Sequence, residues 1–170
     1  HAMGSPVPSD IEKIKKPIAL YCGVISDWFD FELLETAARK LPDVSFVIIG
    51  PSLSEKSEKE LKQASRCPNV FLLGLKKHSE LPRYIRESHV CIIPFKKNAL
   101  IERFSPNKMY EYLAVGKPVV TLDYTEEIKG LKRDIYVAES KGEFVEMIGK
   151  AAAATHDPER LKRLAQSNSW

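Results

Sequence analysis

One stretch of this chain concentrates charge and helix-start chemistry: Pro94-Phe-Lys-Lys-Asn-Ala-Leu-Ile-Glu-Arg-Phe-Ser-Pro-Asn-Lys-Met-Tyr-Glu-Tyr-Leu-Ala-Val-Gly-Lys-Pro-Val-Val120. Ser105 is a good helix N-cap and Pro106 suits the first helical position, so a helix is predicted over about 106–115. The amides of Asn107 and Lys108 would then lie in its first turn. Unpaired first-turn amides and the positive end of the helix dipole together make an anion site. Lys96, Lys97, Arg103 and Lys108 add positive charge around it. Glu111 follows Lys108 by three residues, on the same helix face, where a carboxylate can accept hydrogen bonds from ribose hydroxyls. Each feature also has a plainer reading. Ser-Pro is an ordinary helix start, Lys96 and Lys97 can be simple loop charges, and Lys108 with Glu111 can be a solvated ion pair worth little. The residues alone leave a phosphate site and a plain surface helix both open.

Other candidates are thinner. Asp27 and Asp30 could bind a metal, but solvated loop carboxylates are the expectation, and no metal site is predicted. His78, His89 and His156 have no ligand spacing and read as surface or turn residues. Trp28 can line a cleft or pack against its own loop. Cys22, Cys67 and Cys91 form no CxxC pair and read as free buried thiols in a reducing compartment.

The elements that must hold these residues are short, nearly continuous apolar runs: Ile18–Gly23, Val44–Gly50, Val70–Gly74, Val90–Pro94, Pro118–Leu122 and, more weakly, Ile135–Ala138. Loss of alternation is what strands buried on both faces show, which suits a covered parallel sheet. Between them, Phe31, Leu34, Ala38 and Leu41 keep a helical period, as do Phe144, Met147, Ile148 and Ala151. Further helices are predicted at about 57–66, 79–87 and 157–168. Strict alternation of strand and helix predicts a Rossmann-like, doubly wound α/β domain with a parallel sheet of about six strands. In such sheets ligands bind beyond the carboxyl ends of the strands, after Gly23, Gly50, Gly74, Pro94 and Leu122.

Composition sets outer bounds. With 170 residues the chain suits one domain. A net charge of +3, with no dense Lys/Arg stripe carrying interleaved aromatics, argues against nucleic acid as partner. No apolar run reaches transmembrane length, and there is no signal peptide. The opening His1-Ala-Met-Gly-Ser5 reads as a cloning remnant and Pro6–Lys16 as a frayed lead-in or former linker, so residues 1–16 are set apart from a domain over 17–170.

The segment Ser105-Pro-Asn-Lys-Met-Tyr-Glu-Tyr-Leu-Ala-Val-Gly-Lys-Pro-Val-Val120 closely resembles the signature of family 4 glycosyltransferases and their GT-B relatives. Tyr21–Asp30 resembles the family's first strand and glycine loop, and Pro42–Pro51 its second strand. Asn69–Gly74 and His89–Phe95 follow in the expected order, so the resemblance spans about 17–170. It implies one half of a GT-B fold: the C-terminal domain, which binds a nucleoside diphosphate sugar (UDP-, GDP- or dTDP-linked). The N-terminal domain, which mostly binds the acceptor, would be missing. By this resemblance Glu111 holds the ribose. Ser105 and the amides near Asn107 and Lys108 hold the diphosphate. Leu75 and Lys76 border the base, and the Gly23 loop approaches the phosphates or the sugar. No cofactor is implied.

Two departures from the family pattern stand out. Many members carry an Arg and a Lys in or after the first glycine loop, and Val24–Asp30 has neither. Many also carry a Glu eight residues before the one matching Glu111, where this chain has Arg103. Arg103 and Lys108 are therefore the candidates for stabilising the leaving diphosphate. The implied function is the donor half of a sugar transferase in polysaccharide or glycolipid synthesis, inactive by itself because catalysis needs both substrates positioned together. Its expected place is the cytoplasm, with peripheral attachment at the inner face of the membrane left open. Two alternatives stand beside it. A GT-B nucleotide-sugar epimerase half would need acid/base carboxylates, and no clear pair is visible. A non-enzymatic flavodoxin-like or response-regulator-like domain would need an acidic cluster where Gly23 stands.

Overall fold

The computed structural model describes residues 6–98 and 107–168. Arg103, Ser105, Pro106 and Trp170 lie outside the described residues, so the expected N-cap and the Arg103 role receive no structural account. Six parallel strands are present: β1 (Ile18–Cys22), β2 (Ser45–Ile49), β3 (Val70–Gly74), β4 (Val90–Ile93), β5 (Val119–Leu122) and β6 (Tyr136–Ala138). Each predicted apolar run is a strand. β1, β2, β4 and β5 are buried at every position, which is why their sequences do not alternate. β3 is an edge strand, and there Phe71, Leu72 and Leu73 are only half-buried.

The sheet order is β3-β2-β1-β4-β5-β6. That is the dinucleotide-binding order, with the direction of winding reversed between β1 and β4. A response-regulator domain would show the order 2-1-3-4-5, so that alternative is overturned.

The helices are α1 (Ser9–Glu12), α2 (Phe31–Lys40), α3 (Glu55–Ala64), α4 (Leu81–Arg86), α5 (Asn107–Ala114), α6 (Glu126–Lys129), α7 (Lys141–Ala153) and α8 (Pro158–Asn168). They cover the sheet in two groups. α2 packs beside α3 and α7, and α7 lies across β1, β4, β5 and β6, whereas α5 packs on β5 and against α8. Side-chain caps start several of them. Ser54 and Ser57 form a reciprocal box at α3, Ser140 accepts from the Glu143 amide at α7, and Thr125 accepts from the Ile128 amide at α6.

Two sequence expectations need correction. Pro6–Lys16 is not frayed over its described length. Ile11 and Ile14 enter the core, the Tyr84 hydroxyl donates to Asp10 at 2.9 Å, and the Ser45 hydroxyl donates to the Lys15 carbonyl at 2.6 Å. Two apolar residues three apart on one turn suffice to dock a segment otherwise polar. Asp30 is not a solvated carboxylate either. It is 3% exposed, caps α2 by accepting from the Leu33 amide at 2.9 Å, and meets Lys141 Nζ at 2.9 Å.

Candidate nucleotide-binding cleft

The loop leaving β1 is fixed on both sides. Toward β2, the Gly23 amide donates to the Ile49 carbonyl and the Ile25 amide to the Pro51 carbonyl, both at 2.9 Å. Toward β4, the Asp30 amide donates to the Pro94 carbonyl at 2.8 Å and the Lys96 amide to the Trp28 carbonyl at 2.6 Å. Aromatic rings fill the gap beneath. Tyr21 meets Phe29 edge-on at 5.1 Å and Phe95 at 5.8 Å. The Tyr124 hydroxyl accepts from the Phe95 amide at 2.6 Å and has its one proton within reach of the carbonyls of Ile93 and Phe95, holding the end of β4 in place. A scaffold so tied can present a ligand with backbone groups that move little on binding.

Gly23 and Gly50 permit the close approach on which this depends. Gly23 has φ +153° and Gly50 φ +137°; a Cβ on Gly50 would run into the Gly23 carbonyl, and one on Gly23 would overlap the end of the Lys108 side chain. The Lys108 side chain therefore crosses from α5 to the end of β1. Its ammonium donates to the Cys22 carbonyl and lies 5.5 Å from the Tyr21 ring centroid. The carbonyl takes one of three ammonium protons, leaving donors for an anion. Tyr112, one turn further along α5, also reaches β1: its hydroxyl accepts from the Cys22 amide at 3.0 Å. Burial pushes the Cys22 thiol above its usual range despite the nearby Lys108 charge, so the thiol stays neutral at pH 7.

Tyr21, Val24, Trp28 and Phe95 form one wall of a cleft of about 350 Å³, and Asn107, Lys108 and Glu111 form the other. It sits beyond the carboxyl ends of β1 and β4, where the winding reverses and where such sheets take ligands. A larger cavity of about 450 Å³ lies between α2 and α3, but Pro42, Pro68 and Asn69 on its wall precede β2 and β3, at the opposite edge. Position relative to the strand ends outweighs size here.

Of the residues singled out from sequence, Gly23, Asn107, Lys108 and Glu111 come together. Glu111 is exposed and forms no ion pair with Lys108 among the described residues, which removes the plain surface-pair reading. Leu75 and Lys76 follow β3, two strands over from β1, and do not line this cleft. Leu75 is 73% exposed, while Lys76 pairs with Asp10 Oδ2 at 2.7 Å and stands over the Tyr84 ring. Lys97 pairs with Asp123 at 2.7 Å, and Lys96 is exposed. Sequence reasoning missed Tyr21, Phe95 and Tyr124. Their signal was an aromatic at or just past the ends of three successive buried strands. Among the described residues no group of three or more His, Cys, Asp or Glu side chains has metal-holding geometry.

The family model described as "Glycosyl transferases group 1" matches residues 16–154. The chain belongs to the group 1 glycosyltransferases. It is 30% identical over 116 residues to the "Putative teichuronic acid biosynthesis glycosyltransferase TuaH" of Bacillus subtilis (strain 168), a match covering 68% of this chain and 29% of that relative. This group 1 chain thus spans under a third of the length of the curated relative it matches. Its fold is similar to the C-terminal domain of a group 1 family protein (LpcC) from Francisella tularensis: TM-score 0.61, 18% identity, 92% of this chain and 85% of that one. It is also similar to a trehalose-6-phosphate protein of E. coli bound with UDP-2-fluoro glucose: TM-score 0.65, 14% identity, 99% of this chain and 45% of that one. At those identities the two structures speak to the fold alone. No helix among the described residues of this glycosyltransferase domain is long and apolar enough to cross a membrane.

Proposed function

We propose that this chain is the donor-binding half of a sugar transferase and takes a nucleoside diphosphate sugar in the cleft between the β1 loop and α5. The carrying observation is Lys108, held from the helix start against Gly23 with donors to spare, with Glu111 exposed on the same helix face and in no ion pair among the described residues. The diphosphate lies on Gly23, the first-turn amides of α5 and the Lys108 ammonium. Glu111 accepts from the ribose hydroxyls. Leu75 borders the base at the end of β3, and Lys76 acts there by holding the turn. The group transferred is the sugar. The chain's part is to bind the donor and offset charge on the departing diphosphate, while the acceptor is supplied by a second domain. The sheet similarity to a protein seen with UDP-2-fluoro glucose makes UDP-sugars the first donors to test. The teichuronic acid named for the Bacillus subtilis relative points to a cell-envelope polysaccharide as the pathway class.

Titration of the chain with UDP, GDP, dTDP and inorganic pyrophosphate, followed by heteronuclear NMR, tests this reading. At least one nucleotide should shift the amides of 23–28 and 107–111. Glu111→Ala should weaken that nucleotide by roughly tenfold, the worth of a charge-assisted hydrogen bond. The same change should leave pyrophosphate unaffected. Unchanged nucleotide affinities in a folded Glu111→Ala protein would falsify the ribose assignment.

A further inference from the structure

A third cavity, of about 360 Å³, opens where the chain enters β6 and α8. Pro118 and Ile135 on its wall precede β5 and β6, so it lies at the amino edge of the sheet, opposite the nucleotide cleft. Its floor is apolar, made by Val119, Val137 and Met147. Its mouth is cationic, with Lys132, Arg133 and Arg160 beside the Tyr136 hydroxyl and His156. We propose that this cavity binds a phosphate ester bearing a small apolar group, at a site separate from the nucleotide cleft.

The charges are available for this purpose to different degrees. Lys132 is paired with Glu139 and contributes least. Arg133 is exposed and forms no ion pair among the described residues. Arg160 is loosely tethered: one terminal nitrogen is 3.7 Å from Asp134 Oδ1 and the other donates to the Asp134 carbonyl at 3.4 Å. That tether orients the guanidinium, whose five donors are far from used up. Arginine forks match phosphate oxygens two at a time, which a lysine cannot do. Asp134 is the lone carboxylate on the lining, against three cations, so a cationic ligand is disfavoured. His156 shares a hydrogen bond of 2.9 Å with the Tyr136 hydroxyl. Burial first, then the Arg160 charge, hold its imidazole below the usual range and neutral at pH 7. A neutral His–Tyr pair beside two guanidiniums supplies hydrogen bonds to an ester without adding to the crowding of charge. The floor supplies the remaining selectivity. Inorganic phosphate leaves it wet, whereas an ester with an apolar group removes that surface from water. A lipid headgroup and a free phosphorylated metabolite share this chemistry.

The probe is phenyl phosphate, titrated into the 15N-labelled chain with inorganic phosphate alongside. Phenyl phosphate should shift the amides of 132–137 and 159–161 and the His156 ring saturably, and bind more tightly than inorganic phosphate. The double variant R133Q/R160Q should weaken it by about tenfold or more, as expected for lost charge-assisted hydrogen bonds. Lys108→Ala, which should weaken pyrophosphate in the cleft, should have no effect on phenyl phosphate, which separates this site from the cleft. Co-sedimentation with phosphatidylglycerol vesicles but not phosphatidylcholine vesicles, lost in R133Q/R160Q, identifies a lipid headgroup as the source. Phenyl phosphate binding without sedimentation identifies a free phosphorylated molecule. Shifts confined to 107–111, no saturable shift, or shifts that survive R133Q/R160Q in a protein whose remaining spectrum is unchanged overturn the proposal.

Discussion

The ends of β1 and β3 start from the same materials. Each closes on a glycine of positive φ, Gly23 at +153° and Gly74 at +75°, and each has a lysine close by in space. The lysines are employed differently. Lys108 reaches β1 from a helix distant in sequence and meets a backbone carbonyl, which neutralises none of its charge. Lys76 follows β3 directly and is consumed by a carboxylate, Asp10, with Tyr84 beneath it. A cation facing uncharged partners keeps its attraction for an added anion, whereas one already in an ion pair has spent it. The end of β1 therefore keeps its cation available, whereas the cation beside the end of β3 is held by Asp10.

Backbone crowding should give the largest difference between the two ends. A methyl group at Gly50 would strike the Gly23 carbonyl, a backbone atom that cannot move without pulling β1 from β2. Gly50→Ala should cost more than about 2 kcal/mol, since strain and overlap act together. Nothing lies within 4 Å of the corresponding position on Gly74. Gly74→Ala should cost about 1 kcal/mol, the conformational term alone. Urea unfolding of both variants measures this, and equal losses would show that the β1 loop is not crowded as described.

Affinity should differ next. Lys108→Ala should weaken UDP and pyrophosphate alike, by roughly tenfold or more, and the loss should shrink as salt rises. Lys76→Ala should change neither by more than about threefold, acting only through the Leu75 turn. Isothermal titration at two salt concentrations decides it. A larger loss from Lys76→Ala than from Lys108→Ala would move the diphosphate to the end of β3.

Much of this contrast was hidden in the sequence, and the reasons are physical. The sheet was legible because burial on both faces leaves unbroken runs such as Ser45–Ile49, and a run of that kind has few alternative readings. α6 was not, because four residues give no period to detect; only Thr125 as a cap marks it. The candidate cleft was half legible. Asn107, Lys108 and Glu111 share one local motif, so their grouping follows from helix geometry. The Tyr21, Phe95 and Tyr124 group is assembled across β1, β4 and the turn after β5, and no local pattern encodes it. The Lys76 ion pair was illegible for the same reason: its partner Asp10 is distant in sequence, in a segment whose polarity suggested a loose end.

The smallest expected effect is a difference in pH response. Burial alone would raise the Asp10 carboxyl, but hydrogen bonds from Lys76 and Tyr84, with the Lys76 charge, hold it below its usual value. Lys76 is raised in turn, chiefly by its hydrogen bond to Asp10. A carboxyl lowered on folding adds stability that is present above its unfolded value of about 3.9 and is lost as pH falls through the lower folded value. A lysine raised on folding adds stability present below about 10.4 and lost as pH climbs through the higher folded value. The clamp should therefore act on a plateau between roughly pH 4 and pH 10. Both side chains are partly exposed, so its worth should stay under about 1 kcal/mol. In urea unfolding across pH, Asp10→Asn should lie below the parent protein by that small amount near neutrality, and the two curves should meet as pH drops below about 4. A gap that persists unchanged into strong acid would mean that Asp10 acts only as a hydrogen-bond acceptor for Tyr84. The end of β1 offers a control: the Lys108 partner is a carbonyl, which does not titrate, so Lys108→Met should show no acid limb of this kind.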